Sequence, residues 1–148
     1  MVNLAALLNT DAGQAKRPVP FNDGTYFGII KSQEFTESKT KKTPGVQYNI
    51  ELTHAADDTD LTGQDEEGND VQLNPAGKVF RTTFWVSENS LFMLKDFIKS
   101  FGIEVEGRSF AELVPQVVGQ PVMVDLTKSP RTSGEGFYND IAKVVPAA

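Results

Sequence analysis

Hydrophobic and polar positions alternate most cleanly over residues 46–53. Val46, Tyr48, Ile50 and Leu52 face one way, and Gln47, Asn49, Glu51 and Thr53 the other. That is the pattern of a strand with one buried and one wet face. Four more segments read as strands. Residues 25–35 are rich in aromatic and β-branched side chains, with Gly28 marking a bulge or bend. Over residues 78–86, Phe80, Phe84 and Val86 share a face with Thr82, while Arg81, Thr83 and Trp85 share the opposite one. Val122, Val124 and Leu126 share a face over residues 120–128, and residues 137–145 form a last strand closing on Pro146. Between the third and fourth strands, Leu91, Leu94, Ile98 and Phe101 recur at helical spacing, with Phe97 beside them. Ser87 or Asn89 can cap that helix, and Gly102 is placed to stop it. Ser109-Phe110-Ala111-Glu112 has capping-box spacing and predicts a short second helical piece before Pro115.

The order is β-β-β-α-β-β in a mainly β chain. Five short strands with one main helix between the third and fourth is the element order of an OB-fold, a partly open five-stranded barrel. Another small β-barrel or an open α+β sheet shares that order. The expected organisation is a lead-in segment over residues 1–23 and a single OB-fold domain over residues 24–146, with an acidic insert at about 54–76. In the lead-in, Leu4, Leu7 and Leu8 suit one or two helical turns. Pro18 and Pro20 then break regular structure, leaving an extended or partly mobile stretch. The 148-residue length fits one such domain with a sizeable core.

Charge changes this picture. The chain is acidic, with a formal net charge of −6, which ordinarily argues against a nucleic-acid partner. Yet residues 54–70 alone hold Asp57, Asp58, Asp60, Asp65, Glu66, Glu67 and Asp70 with no Lys or Arg. Taking that −7 from −6 leaves +1 for the rest, which carries all 14 basic residues. Lys39, Lys41 and Lys42 cluster in the loop SKTKKTPG, and Lys128 and Arg131 flank the loop between the last two strands.

The remaining composition narrows the chemistry. There is no cysteine, and His54 is the single histidine, so thiolate and multi-histidine metal sites are excluded. No phosphate loop, GxGxxG or GxSxG occurs, so neither enzymatic activity nor a cofactor is expected. No apolar run reaches the ~18 residues of a membrane span, and the first residues do not read as a signal peptide. No membrane partner and a cytoplasmic setting are the expectation.

In an OB-fold, single strands lie across the outer face of strands two and three, gripped by the loops between strands one and two and strands four and five. The candidate site is therefore Lys39, Lys41, Lys42, Gln47, Asn49, Arg81, Trp85, Lys128 and Arg131, with both basic loops rising on one side of the barrel. Cations neutralise phosphates and release counterions. Trp85 offers a stacking surface for an unstacked base, and Arg81 lies four residues away on the same face, roughly 13 Å off. Each signal has a plainer reading. Trp85 can be core, Arg81 can pair across the sheet, and the lysines can be a solubilising loop.

The acidic insert has three readings. It can be a solvating, disordered loop, an internal mimic of DNA lying against the basic groove, or a calcium loop. For the last, Asp58, Asp60, Thr62 and Gly63 match EF-hand spacing, but Asn69 replaces the closing Glu.

The blocks DGTYFGII, a basic loop with a Pro-Gly turn, and VQYNIEL resemble a family of small phage-encoded OB-fold single-stranded DNA-binding proteins, once catalogued as a phage domain of unknown function. KVFRTTFWV, LFMLKDFIKSFGI, GRSFAELV and GFYNDIAKVVP continue the resemblance over about residues 20–146. It implies coating of exposed strands with little sequence preference during phage DNA replication or recombination, in the cytoplasm of an infected bacterium. It reaches the Phe137-Tyr138-Asn139 closing strand and the loop basics. Phage replication or recombination proteins are the implied partners. The ending VVPAA departs from the acidic, hydrophobic-tipped tail of bacterial single-stranded DNA-binding proteins. A non-enzymatic structural or adaptor β-barrel is the alternative, and a free strand edge or residues 4–8 offer a route to a homo-oligomer.

Overall fold

A computed structural model describes Leu8 and residues 19–65, 67–130 and 137–147. Each strand expected from alternation forms: β1 (Gly24–Glu37), β2 (Pro44–Ala55), β5 (Val79–Trp85), β6 (Pro121–Pro130) and β7 (Phe137–Pro146). Two short strands, β3 (Thr62–Gln64) and β4 (Asp70–Gln72), lie between β2 and β5. Helices α1 (Leu91–Lys99) and α2 (Phe110–Leu113) follow β5, and a 3₁₀ turn (Val114–Val117) leads into β6. The expected turns at Leu4 and Leu7 lie outside the described residues, and Leu8 is exposed.

The five main strands make one antiparallel sheet in the order β5-β2-β1-β6-β7. β1 is the central strand, and it bends. Register shifts at Phe27/Gly28 and Ile30/Ser32 mark bulges, which curve a strand and raise its twist. Gly28 is required at the first: a Cβ there would lie 2.7 Å from the Glu51 carbonyl oxygen. β6 pairs only with the first half of β1, Gly24 to Ile29, leaving the far half to β2 alone.

The inner face of the curved sheet is the core. Tyr26, Ile30, Tyr48, Ile50, Leu52, Val122, Val124 and Leu126 are buried on it. Leu94, Phe97 and Ile98 of α1 and Leu113, Val114 and Val117 pack within the same cluster. Tyr48 donates its hydroxyl hydrogen to the Val114 carbonyl at 2.8 Å, and burial pushes that hydroxyl's pKa up. This bond ties the 3₁₀ turn to the sheet. Ser109 Oγ accepts from the Glu112 N–H, so the capping motif works as its spacing implies. Ser90, rather than Ser87 or Asn89, is the N-cap of α1, and its hydroxyl bonds back to the Trp85 carbonyl at 2.5 Å.

Two expectations are corrected. Closure into a barrel is not found: β5 and β7 are the edges of the sheet and do not pair with each other among the described residues. Two clefts separate them, of about 620 Å³ and about 380 Å³. Next, the acidic stretch is not simply a loop. β3 and β4 form a hairpin, and Leu61, Val71 and Leu73 beside it pack on the core. Its EF-hand-like spacing does not make a cation loop, because Thr62 and Gly63 are strand residues and Asp60 Oδ1 accepts from Thr62 N and Oγ1. The described end of the lead-in has no regular structure and is docked. Phe21 is buried, its N–H donates to Asn139 Oδ1 and its carbonyl accepts from Asn139 Nδ2, both at 2.8 Å.

Candidate nucleic-acid interface

The β2–β5 ladder decides what the outer face presents. It sets Gly45 opposite Trp85, Gln47 opposite Thr83, Asn49 opposite Arg81 and Glu51 opposite Val79. The alternate β2 residues Val46, Tyr48, Ile50 and Leu52 are buried. Side chains alternate across a strand, so this second set points away from the core. Trp85 is therefore not a core residue. It is 43% exposed, and its Cε3 and Cζ3 atoms lie over Gly45, where a Cβ would approach to 2.8 Å and 2.9 Å.

The neighbouring polar groups differ in how far they are engaged. Gln47 Nε2 donates to Glu34 Oε2 at 3.3 Å, and Asn49 Nδ2 donates to Ser32 Oγ at 2.8 Å. Asn49 Oδ1 is buried with no hydrogen-bond partner. Arg81, directly across, is exposed and makes no ion pair among the described residues. Lys31 and Glu51 pair at 3.5 Å on the same side.

The three loop lysines sit on the β1–β2 tip, whose base adjoins Trp85. The tip between β1 and β2 is closed by Ser38 N–H to the Thr43 carbonyl, Thr43 N–H to Ser38 Oγ, and Lys42 N–H to the Ser38 carbonyl. Lys42 takes a left-handed conformation with φ +56°. This tight tip leaves Lys39, Lys41 and Lys42 exposed, with Lys42 3.8 Å from Glu37. Val86 N–H bonds the Pro44 carbonyl at 2.7 Å, which fixes the end of β5 to the base of the tip.

Seven of the nine sequence-derived residues thus lie together: Lys39, Lys41, Lys42, Gln47, Asn49, Arg81 and Trp85. Lys128 lies apart. β1 is antiparallel to both β2 and β6, so the loops of those two hairpins leave from its opposite ends. The lysine tip follows Glu37, whereas β6 runs past Gly24 to Pro130. The expectation that both loops rise on one side is corrected by this register. Arg131 lies outside the described residues. Lys128 pairs with Asn139, in step with the buried Leu126, and so belongs to the inner side. Its Nζ donates to Asn22 Oδ1 at 3.4 Å and stands 5.5 Å from the centre of the Phe137 ring.

The acidic hairpin is at this second end. Asn22 Nδ2 donates to the carbonyls of Asp60 and Thr62 at 2.9 Å and 2.7 Å. The two bonds from Thr62 hold the Asp60 carboxyl below its usual pKa, with the charge of Lys128 adding to the effect. Asp23 Oδ1 accepts from the Lys128 N–H at 2.6 Å. The molecule therefore has a basic end at the lysine tip, and a mixed end where the Asp23 and Asp60 carboxylates lie near Lys128.

The candidate residues drawn from the sequence left out an aromatic group at the mixed end. Phe80 from β5 and Phe137 and Tyr138 from β7 line the larger cleft, together with Lys78. The signal was two adjacent aromatics opening the last strand, half-exposed at 49% and 38%. No family model matches the chain, and no curated protein matches it.

Proposed function

We propose that this protein binds single-stranded DNA without strong sequence preference and performs no catalysis, on a partly open OB-type sheet. The observation that carries the reading is the placement of Trp85. Its ring is half-exposed on the outer face, at the base of a tip bearing three exposed lysines, with Arg81 further along the same strand. A flat ring beside cations suits an unstacked base and its phosphates, and stacking of this kind contributes about 1–3 kcal/mol per base. Duplex reading needs a helix or ribbon free to enter the major groove. Here α1 has Leu94, Phe97 and Ile98 buried against the sheet. The resemblance to phage single-stranded DNA-binding proteins supports a role in coating strands during phage replication or recombination.

Fluorescence anisotropy with oligo-dT and a duplex of equal length, across a salt series, tests this. Preferential binding of oligo-dT that weakens steeply with salt is expected. Equal or absent binding at low salt removes the reading. An adaptor role has its own support in Phe92 and Met93, both exposed on α1; an adaptor leaves oligo-dT unbound.

A further inference from the structure

The larger cleft lies between β5 and β7, the two free edges of the sheet. At about 620 Å³ it falls in the range of small-ligand sites. Its lining is unlike an ordinary packing defect. Phe80, Phe137 and Tyr138 offer three rings from two strands, over an apolar floor that includes Val71 and Leu73 of the hairpin. Phe137 and Tyr138 remain half-exposed although a cleft of apolar character lies beside them. Two cations mark its rim: Lys78 lines it directly, and Lys128 Nζ stands over Phe137.

The cleft is also continuous with the outer face. The outward residues of β5 run from Trp85 through Thr83 and Arg81 to Val79, and Val79 lines the cleft. That track is roughly 20 Å long at the usual rise of a strand. A strand laid on Trp85 and led by Arg81 along β5 arrives at this opening.

We infer that the cleft takes a nucleobase of the same single strand that the Trp85 face holds. The inference rests on the single-strand reading above. The rings supply stacking surface, and the Lys78 rim faces the phosphate. The β5 edge would then hold a strand at both ends rather than at one.

Oligo-dT carrying 5-iodouracil, irradiated in complex with the unaltered protein and mapped by peptide mass spectrometry, tests the assignment. Crosslinks at Phe137 or Tyr138 together with crosslinks at Trp85 are expected. A Phe137→Ala/Tyr138→Ala variant is expected to bind oligo-dT about 5-fold to 100-fold more weakly, the loss of one stacked base. Binding with crosslinks at Trp85 but none at Phe137 or Tyr138 overturns the cleft assignment and leaves the Trp85 face standing. So does unchanged affinity in the double variant, the outcome expected if the cleft serves a hydrophobic peptide instead. If the unaltered protein binds no oligo-dT, both readings fall. The crosslink is read on the unaltered protein, so a double variant that fails to fold does not remove the test.

Discussion

Trp85 and Gly45 face each other across the β2–β5 ladder, and the indole occupies the space that a Cβ on Gly45 would need. The glycine thus seats the ring against the backbone. Trp85→Ala is expected to weaken oligo-dT binding about 5-fold to 100-fold, in line with one lost stack. Its stability cost should be well below the 3–5 kcal/mol typical of emptying a core aromatic site. Gly45→Ala should fold but tilt the ring away. Trp85 is the only tryptophan, so its emission reports the displacement directly. Urea unfolding and anisotropy on both variants check this; a Trp85→Ala protein that unfolds with no binding-specific loss makes the ring structural.

The lysine tip acts through phosphate charge. Replacing Lys39, Lys41 and Lys42 by Gln should lower affinity at low salt. It should also flatten the dependence of log affinity on log salt, by about 0.7 for each phosphate contact removed. Stability should barely move, since all three side chains are exposed. Salt titrations of the variant against the unaltered protein measure both effects.

Asn139 holds Phe21 by both of its backbone polar groups. Asn139→Ala removes both partners from a segment whose ring lies in the core, and should destabilise the fold by about 1–3 kcal/mol. Asn139→Asp keeps the acceptor and loses the donor, so it should fall between. Urea midpoints order the three proteins; equal midpoints reject the clamp.

Asp60 titrates below the ordinary aspartate range because Thr62 bonds its charged form twice. A carboxyl depressed in the folded state contributes its stabilisation at neutral pH and loses it as pH falls through the folded-state value. The contact between Asp60 and Thr62 should therefore persist to a lower pH than an ordinary aspartate would allow. Thr62→Val should move the Asp60 midpoint back up. Carboxyl carbon chemical shifts, followed against pH in both proteins, give the two midpoints.

The strands and their two faces were legible because a period of two is a local property of the sequence. It placed Val46, Tyr48, Ile50 and Leu52 inward and Arg81, Thr83 and Trp85 outward, as found. Alternation could not say whether a second layer covers Trp85; only the packed sheet answers that. The β3–β4 hairpin escaped notice because Leu61, Val71 and Leu73 are few and lie within or just after a run of seven acids, and the charge masks the apolar pattern. The separation of Lys128 from the lysine tip depends on β1 pairing with β6, a contact some 100 residues apart exemplified by Thr25 and Asp125. Nothing local encodes such a contact.

The Asn139 clamp also orders events during synthesis. Phe21 and Asn139 are 118 positions apart, so the Phe21 backbone has no such partner until Asn139 has been made. β1 and β2, adjacent in sequence, can pair while the ribosome is still translating at about 5–20 residues per second. β7 is made after the other four strands of the sheet and fastens the segment before β1 to the sheet. The aromatic cleft, which needs Phe80 from β5 and Phe137 from β7, is therefore assembled only once β7 has joined the sheet.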